Sequence, residues 1–251
     1  MEARKIIITG GATRIGAAIA EKLSGYNVEI VIHFNKSRSK AIRLKKKLEK
    51  NGGKVYLVKG NLNKDEDIKK IIKSSKKYLK YFDCLINNAS MFENDKLENF
   101  STDSWNKHLN INLKAPAILT KEFAKNIKGK NNNIINIIDQ RVFKLTPFFF
   151  SYTLSKAGLY TLTKTSAMSL APKIRVNGIA PGPTIKNKRQ SKIHFKNQFL
   201  ATPLRQQVNV NEISNAVDFF IKSRSVTGQV ISIDSGQSLN WQTPDIIRGK
   251  E

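Results

Sequence analysis

Tyr152 and Lys156 stand four residues apart in Ser151-Tyr152-Thr153-Leu154-Ser155-Lys156, and Asp139 precedes the tyrosine by thirteen residues. On a helix, that four-residue spacing puts both side chains on one face, one turn apart. An ammonium beside a phenol favours the phenolate and predicts a lowered tyrosine pKa. A tyrosine tuned this way can give or take a proton near neutral pH, as general acid–base chemistry requires. The pattern is weak alone, because a helix with an interfacial tyrosine and a solvated lysine carries the same letters. Its weight depends on the elements that would position it.

Lys5-Ile6-Ile7-Ile8-Thr9 is a short apolar, β-branched run ending in glycines, which predicts a buried parallel strand. Ile15, Ala18, Ile19, Ala20 and Leu23 follow with helical spacing, and Gly25 closes that helix. Further strands are expected at 28–32, 54–58, 84–86, 134–138, 173–177 and 229–233. Helices are expected around Ala41, Leu44 and Leu48, around Ile68, Ile71, Ile72 and Leu79, and over 102–128, 151–170 and 211–222, with Ser101 or Thr102 capping the third of these. Seven strands alternating with helices predict one α/β domain spanning 1–251, a parallel sheet covered on both faces.

The 251 residues, 40% of them hydrophobic, suffice for one sizeable core. A single cysteine, Cys84, excludes a disulfide framework and a cysteine-based zinc site, and its apolar surroundings predict a buried, inert thiol. No apolar stretch approaches the roughly 20 residues of a membrane span. Met1-Glu2-Ala3-Arg4-Lys5 runs directly into a strand, so no signal peptide is expected and the expected location is cytoplasmic. The net charge of +25 would suit a polyanion. Its lysines are spread over many amphipathic helices, with short runs at Lys45-Lys46-Lys47 and Lys76-Lys77 and no separable basic tail. Solvated helix faces explain this better than a nucleic-acid surface does.

Thr9-Gly10-Gly11-Ala12-Thr13-Arg14-Ile15-Gly16 joins the first strand to the first helix. Glycines there permit a tight turn and close approach of backbone to a pyrophosphate, while the helix N-terminus offers amide donors. The usual pattern of three spaced glycines is not met, because Arg14 occupies the middle position. At the end of the second strand, where an acid would hold the ribose hydroxyl pair of NAD, the chain reads His33-Phe34-Asn35-Lys36-Ser37-Arg38. Arg14, Lys36 and Ser37 instead suit a 2′-phosphate, which predicts NADP(H) over NAD(H).

Taken in order, these segments resemble the short-chain dehydrogenase/reductase family along essentially the whole chain. The markers are the Thr9–Gly16 turn, Asn87-Asn88-Ala89, Asn112, Tyr152-x-x-x-Lys156, Arg175-Val176-Asn177, Pro181-Gly182, and Thr227-Gly228-Gln229 with Asp234-Ser235-Gly236. The resemblance implies a single-domain, Rossmann-type, doubly wound sheet. It implies that Tyr152 moves the proton, that Lys156 binds the nicotinamide ribose and depresses the tyrosine pKa, and that Asn112 holds a relay water. It places Gly10, Thr13, Arg14, Ile15, Gly16, His33, Asn61, Leu62, Asn88, Ala89, Ser90, Pro181 and Gly182 around the cofactor. It also implies a homotetramer built on the helical segments near 102–128 and 151–170.

Two positions depart from the family pattern. Asn61 stands where an aspartate is frequent, and Asp139 where a serine is usual. A hydroxyl steadies a carbonyl, whereas a carboxylate repels a developing alkoxide and suits N–H donors or a cationic C=N. The second departure is similar to the pteridine and dihydromonapterin reductases, as are Arg14, His33-Phe34-Asn35-Lys36-Ser37 and Asn88-Ala89-Ser90-Met91-Phe92. That likeness implies Phe92 as a stacking platform for a pterin ring. The expected function is NADPH-dependent reduction of a pterin or dihydropterin, with Asp139 and Tyr152 touching the substrate. The alternative is reduction of a carbonyl such as a 3-oxoacyl thioester or small ketone, and below that a binding protein that kept the fold without catalysis. A short basic substrate loop is expected near 183–205. Phe143, Phe148, Phe149 and Phe150 are expected to wall either the pocket or a subunit contact.

Overall fold

A computed structural model describes residues 4–25, 27–187 and 189–241; Lys188, within the expected substrate loop, lies outside the described residues. The strands are β1 (Arg4–Ile8), β2 (Val28–Phe34), β3 (Lys54–Lys59), β4 (Cys84–Asn87), β5 (Asn132–Ile137), β6 (Ile174–Pro181) and β7 (Val230–Ile233). They form a seven-stranded parallel sheet in the order β3-β2-β1-β4-β5-β6-β7. The helices are α1 (Arg14–Leu23), α2 (Arg38–Lys50), α3 (Asp65–Leu79), α4 (Thr102–Leu109), α5 (Ala115–Ala124), α6 (Phe150–Leu170), α7 (Lys192–Leu200) and α8 (Val210–Lys222).

Each central strand is largely buried on both faces because helices cover both. One core packs α1, α2 and α8 through Ile19, Leu44 and Val217 against Ile6, Ile8, Ile30 and Ile86. The other packs α3, α5 and α6 through Ile68, Leu119 and Ala167 against Ile7, Val31, Leu85 and Ile134. Alternate residues of one strand thus serve opposite cores, which is why β1 reads as a continuous isoleucine run. Chain order reverses between β1 and β4, and a doubly wound sheet binds ligands beyond its strand ends at that point.

Asparagines inside the buried β5 are all put to use. Asn133 donates to the Phe220 carbonyl at 2.7 Å. Asn136 accepts from Asn87 at 2.8 Å and donates to Thr163 on α6 at 2.9 Å. Arg175 on β6 donates to the carbonyls of Phe220 and Val226 (2.8 and 3.2 Å), and Asn177 donates to Val226 O at 2.9 Å. The Arg175-Val176-Asn177 marker therefore pins the end of α8 and the chain leading into β7.

Three differences from the sequence reading bear on the site. The single helix expected over 102–128 is two helices, joined by a π turn over Asn110–Lys114 and ending at Ala124. Asn112 sits at that turn, where it locks an irregular helix. β6 runs on to Pro181, since residues 178–181 pair with β7. The segment expected as a loop near 183–205 contains α7, capped where Ser191 Oγ accepts from His194 N at 3.0 Å. Phe195 and Phe199, four apart with rings 5.5 Å from each other, were the available signal for it.

Candidate active site

The site grows from the turn between β1 and α1. Gly10 holds a left-handed φ of +59°, and a Cβ there would lie 2.9 Å from Ala89 Cα. At Gly16 a Cβ would lie 2.4 Å from the Gly10 carbonyl oxygen and 2.5 Å from Asn88 Nδ2. Thr9 Oγ1 accepts from the N–H groups of Asn88 and Ala89 (3.0 and 3.1 Å), and the Asn88 amide donates to the carbonyls of Thr9 and Gly10 (2.9 and 3.1 Å). The Asn-Asn-Ala marker after β4 thus clamps the turn. The N-cap residue of α1, Thr13, makes no side-chain cap and the first turn carries no acid, so donor groups and a positive dipole end remain for an anion.

A cleft of about 680 Å³ opens over this turn. Gly10, Thr13, Arg14, Ile15, His33, Asn61, Leu62, Asn88, Ala89, Ser90, Pro181 and Gly182 line it. Gly16 packs beneath the turn. Lys36 and Ser37 follow β2 at the start of α2, outside the lining; their neighbour Asn35 lines it instead.

Two residues act differently from expectation. His33 is 2% exposed; its Nδ1 accepts from Gly10 N–H at 3.2 Å and its Nε2–H donates to the Gly60 carbonyl at 3.1 Å. Burial lowers its pKa to about 4. It is a neutral brace between the first turn and the end of β3, since both ring nitrogens are spent on backbone. Arg14, itself at a left-handed φ of +55°, donates across the cleft to the carbonyls of Ile185 and Lys186 (2.6 and 3.0 Å). Its guanidinium ties the cofactor turn to the loop beyond β6 rather than pointing to the end of β2.

On the other side of the cleft, α6 brings up Tyr152 and Lys156, and Asp139 follows β5. Tyr152 Oη donates to Asp139 Oδ2 at 2.7 Å, while Asp139 Oδ1 accepts from Arg141 N–H at 2.9 Å. Lys156 Nζ donates to the Ile137 carbonyl at 2.8 Å and lies 5.7 Å from the Tyr152 ring centroid. Desolvation, then the Asp139 charge and its hydrogen bond, hold the Tyr152 pKa well above the usual phenol value. This reverses the expectation of a lowered tyrosine pKa. The ammonium is spent on a backbone carbonyl, while the carboxylate sits directly on the phenol. Burial lowers Lys156 to about 8, opposed by Asp139. The chemistry on offer is a protonated phenol beside a carboxylate: a proton donor with a hydrogen-bond acceptor next to it.

Asn112 is fully buried and its amide is fully occupied. Its Oδ1 accepts from Met91 N (2.8 Å) and Ser90 Oγ (3.2 Å), and its Nδ2 donates to Met91 O and Ser155 Oγ (both 3.0 Å). The side chain fastens the π turn to the strand-end loop and to α6. Asn61 is held in its own turn, where its N–H donates to Asp67 Oδ2 at 2.9 Å and its Oδ1 accepts from Asn63 N at 3.1 Å.

Phe92 lines the cleft, its ring T-shaped against Tyr152 (4.7 Å, 72°) and one face stacked on Phe149 (4.5 Å, 4°). Of the four phenylalanines between Asp139 and Tyr152, only Phe149 lines the cleft. Phe150 packs on Phe100 and Trp105, Phe143 on Tyr160, and Phe148 carries Lys96. Phe149 reaches the cleft through a left-handed φ of +60°, with its N–H donating to Asn94 Oδ1 at 3.2 Å; no sequence signal marks this. Arg141 was also missed as a lining residue. Cys84 is buried as expected, its pKa raised to about 12 by desolvation.

The fold recurs in known proteins. The chain superposes on FolM, alternative dihydrofolate reductase 1, from Brucella suis in complex with NADP, with a TM-score of 0.93 at 39% identity over 97% of this chain and 98% of that one. The FolM alternative dihydrofolate reductase 1 of Brucella canis, complexed with NADP, gives 0.92 at 40% identity over 96% of each. In sequence the chain is 28% identical to glucose 1-dehydrogenase 2 of Bacillus subtilis, over 93% of this chain and 94% of that one. It is 26% identical to a 3-oxoacyl-[acyl-carrier-protein] reductase of Synechocystis, over 94% and 97% respectively. Residues 4–196 match the short chain dehydrogenase family, and the chain, with its parallel sheet, glycine turn and Tyr152–Lys156 pair, belongs to it.

Proposed function

We propose that the protein is an NADPH-dependent reductase acting on a C=N bond in a flat nitrogen heterocycle of the pterin or dihydropterin class. The observation that carries this reading is the 2.7 Å contact of Tyr152 Oη with Asp139 Oδ2, Asp139 being the sole acid among the described residues lining the cleft. A carboxylate there opposes the negative charge of a developing alkoxide. It accepts well from the ring N–H and amino donors of a pterin. The 39–40% identity to two FolM alternative dihydrofolate reductases supports the same substrate class.

NADPH fits the other half of the cleft. Gly10 and Gly16 leave room that a Cβ would fill, α1 offers an uncapped N-terminus, and no acid follows β2 to prefer a ribose hydroxyl pair. In this reading Gly10, Thr13, Arg14, Ile15 and Gly16 hold the pyrophosphate, Lys36 and Ser37 the 2′-phosphate, and Asn61 and Leu62 the adenine. Asn88, Ala89 and Ser90 line the middle, with Pro181 and Gly182 at the nicotinamide side. Bound NADPH supplies a hydride to the substrate carbon. Tyr152, kept protonated, gives its proton to the substrate nitrogen, so C=N becomes CH–NH. Asp139 holds the phenol and the substrate's N–H donors, Phe92 stacks on the ring, and Lys156 binds the nicotinamide ribose. Asn112, its amide spent on Ser90, Met91 and Ser155, keeps the helix end in place.

A second reading, reduction of a carbonyl such as a 3-oxoacyl thioester, is favoured by the likeness to 3-oxoacyl-[acyl-carrier-protein] reductases. A homotetramer through α4, α5 and α6 belongs to the proposal as well; Leu154 and Met168 on α6 are exposed apolar residues consistent with it. NADPH oxidation by the native protein separates the two substrates. Turnover of dihydropterins well above that of 3-oxoacyl thioesters and ketones is expected. Turnover of ketones with none of dihydropterins refutes the first reading.

A further inference from the structure

The charges around the substrate half of the cleft are one-sided. Arg141 and Arg189 line it, against the single acid Asp139, whose oxygens already accept from Tyr152 and from Arg141 N–H. Arg189 donates to the Phe92 carbonyl. The Arg141 guanidinium differs from Arg14 and Arg189. Among the described residues it forms no ion pair and its side chain donates to no acceptor, yet it is half-buried and held over aromatic faces. Its Cζ lies 4.5 Å from the Phe149 ring centroid and 6.0 Å from that of Phe92. Such contacts hold the guanidinium beside the rings while leaving its N–H donors unused.

The rings and the cation form one cluster. Tyr152 touches Phe92 at 4.7 Å, Phe92 touches Phe149 at 4.5 Å, and Phe149 touches Arg141 at 4.5 Å. The guanidinium lies 6.0 Å from the Phe92 centroid and its charge acts on the Tyr152 phenol, so a flat heterocycle resting beside Phe92 with its reacting bond at Tyr152 has Arg141 at its edge. A positioned guanidinium without a protein partner pairs best with a carboxylate or phosphate, which it grips with two parallel donors. We infer that Arg141 is a specificity-determining residue, reading an anionic substituent on the heterocycle. The preferred substrate is then a ring with an acidic tail rather than a bare or hydroxyalkyl pterin. This inference rests on the function proposed above.

Binding to the preformed NADP⁺ complex, followed by calorimetry, tests it. The ligands are a dihydropterin with a neutral side chain, one with a phosphorylated side chain, and one with a benzoylglutamate tail. Native protein is compared with Arg141→Met, which keeps the apolar stem over Phe149, and with Arg141→Lys. A lost charge-assisted contact corresponds to about a tenfold or greater loss of affinity. The expected result is that Arg141→Met weakens at least one anionic ligand by that factor more than the neutral one, and that Arg141→Lys restores part of the difference. The affected ligand identifies carboxylate or phosphate as the anion read. Equal weakening of all three ligands overturns the inference while leaving the proposed function standing, as does a weakened NADP⁺ affinity with an unchanged ratio among pterins. Absence of pterin binding to the native complex overturns both.

Discussion

Replacing Lys156 by methionine should stabilise the protein at neutral pH while removing most of its activity. Lys156 is 2% exposed, and burial lowers its pKa from 10.5 to about 8. At pH 7 it is charged in both the folded and unfolded states, so the native state bears a cost of about 3 kcal/mol, from roughly 1.4 kcal/mol per pKa unit. Methionine has nearly the same length and no charge to desolvate. It forgoes the 2.8 Å bond to the Ile137 carbonyl, a loss of about 1–2 kcal/mol. The variant should therefore gain about 1–2 kcal/mol at pH 7.

The pH dependence gives a stricter check. Between pH 8 and 10.5 the unfolded lysine holds its proton while the folded one releases it. The unfolded state binds more protons there, so native stability rises with pH relative to the variant, by about 1.4 kcal/mol per unit. The advantage of Lys156→Met should shrink above pH 8 and reverse by about pH 10. Urea unfolding of both proteins from pH 7 to 10 measures this. A variant that is less stable at pH 7, or a stability difference that does not change with pH, refutes the reasoning. Loss of turnover in the stabilised variant would identify Lys156 as a residue kept for function at the expense of stability.

Two further outcomes follow from the cofactor turn. His33 is neutral when folded, with a pKa of about 4 against an ordinary 6.5, so the unfolded state binds more protons between those values. Stability should fall by about 3 kcal/mol as pH drops through that window, and His33→Gln should remove this component; parallel urea midpoints for the two proteins across the window would contradict it. Gly16→Ala places a Cβ 2.4 Å from the Gly10 carbonyl oxygen and 2.5 Å from Asn88 Nδ2, so the turn must open. Fluorescence titration should show NADPH binding weakened about tenfold or more, with a stability loss of about 1–3 kcal/mol; unchanged NADPH affinity would exclude the turn as the phosphate cradle.

Most of the architecture could be read from local pattern. Strands such as Lys5–Thr9 are continuous apolar runs because both faces are covered, and the run's length, its β-branched residues and its flanking glycines mark it. The π turn was not legible, because what locks it is Asn112 bonding to Met91 and Ser155, which are remote in sequence. The spacing of Tyr152 and Lys156 is visible in the sequence, but its weight, and the standing of Asp139 as a departure from pattern, came from the resemblance to the short-chain dehydrogenase/reductase family. The direction of the Tyr152 shift was not legible, since it depends on burial and on which partner reaches the phenol. Spacing places the lysine on the same helical face; only the fold shows that its Nζ goes to Ile137 while Asp139 takes the hydroxyl. The same holds for Arg14, whose acceptors lie 171 and 172 residues away. Among the aromatics before α6, composition gave four equivalent candidates, and one left-handed residue decided that Phe149 faces the cleft.

In the proposed function, Asp139 beside Tyr152 selects a C=N bond over a carbonyl. The measurement that tests it most directly is kcat/KM for a dihydropterin and for a 3-oxoacyl thioester, each with NADPH, in the native protein and in Asp139→Ser. Native preference for the dihydropterin is predicted, with Asp139→Ser shifting the ratio toward the carbonyl by about tenfold or more, the size of one charge-assisted contact. A native preference for the thioester, or a ratio that Asp139→Ser leaves unchanged, would contradict it.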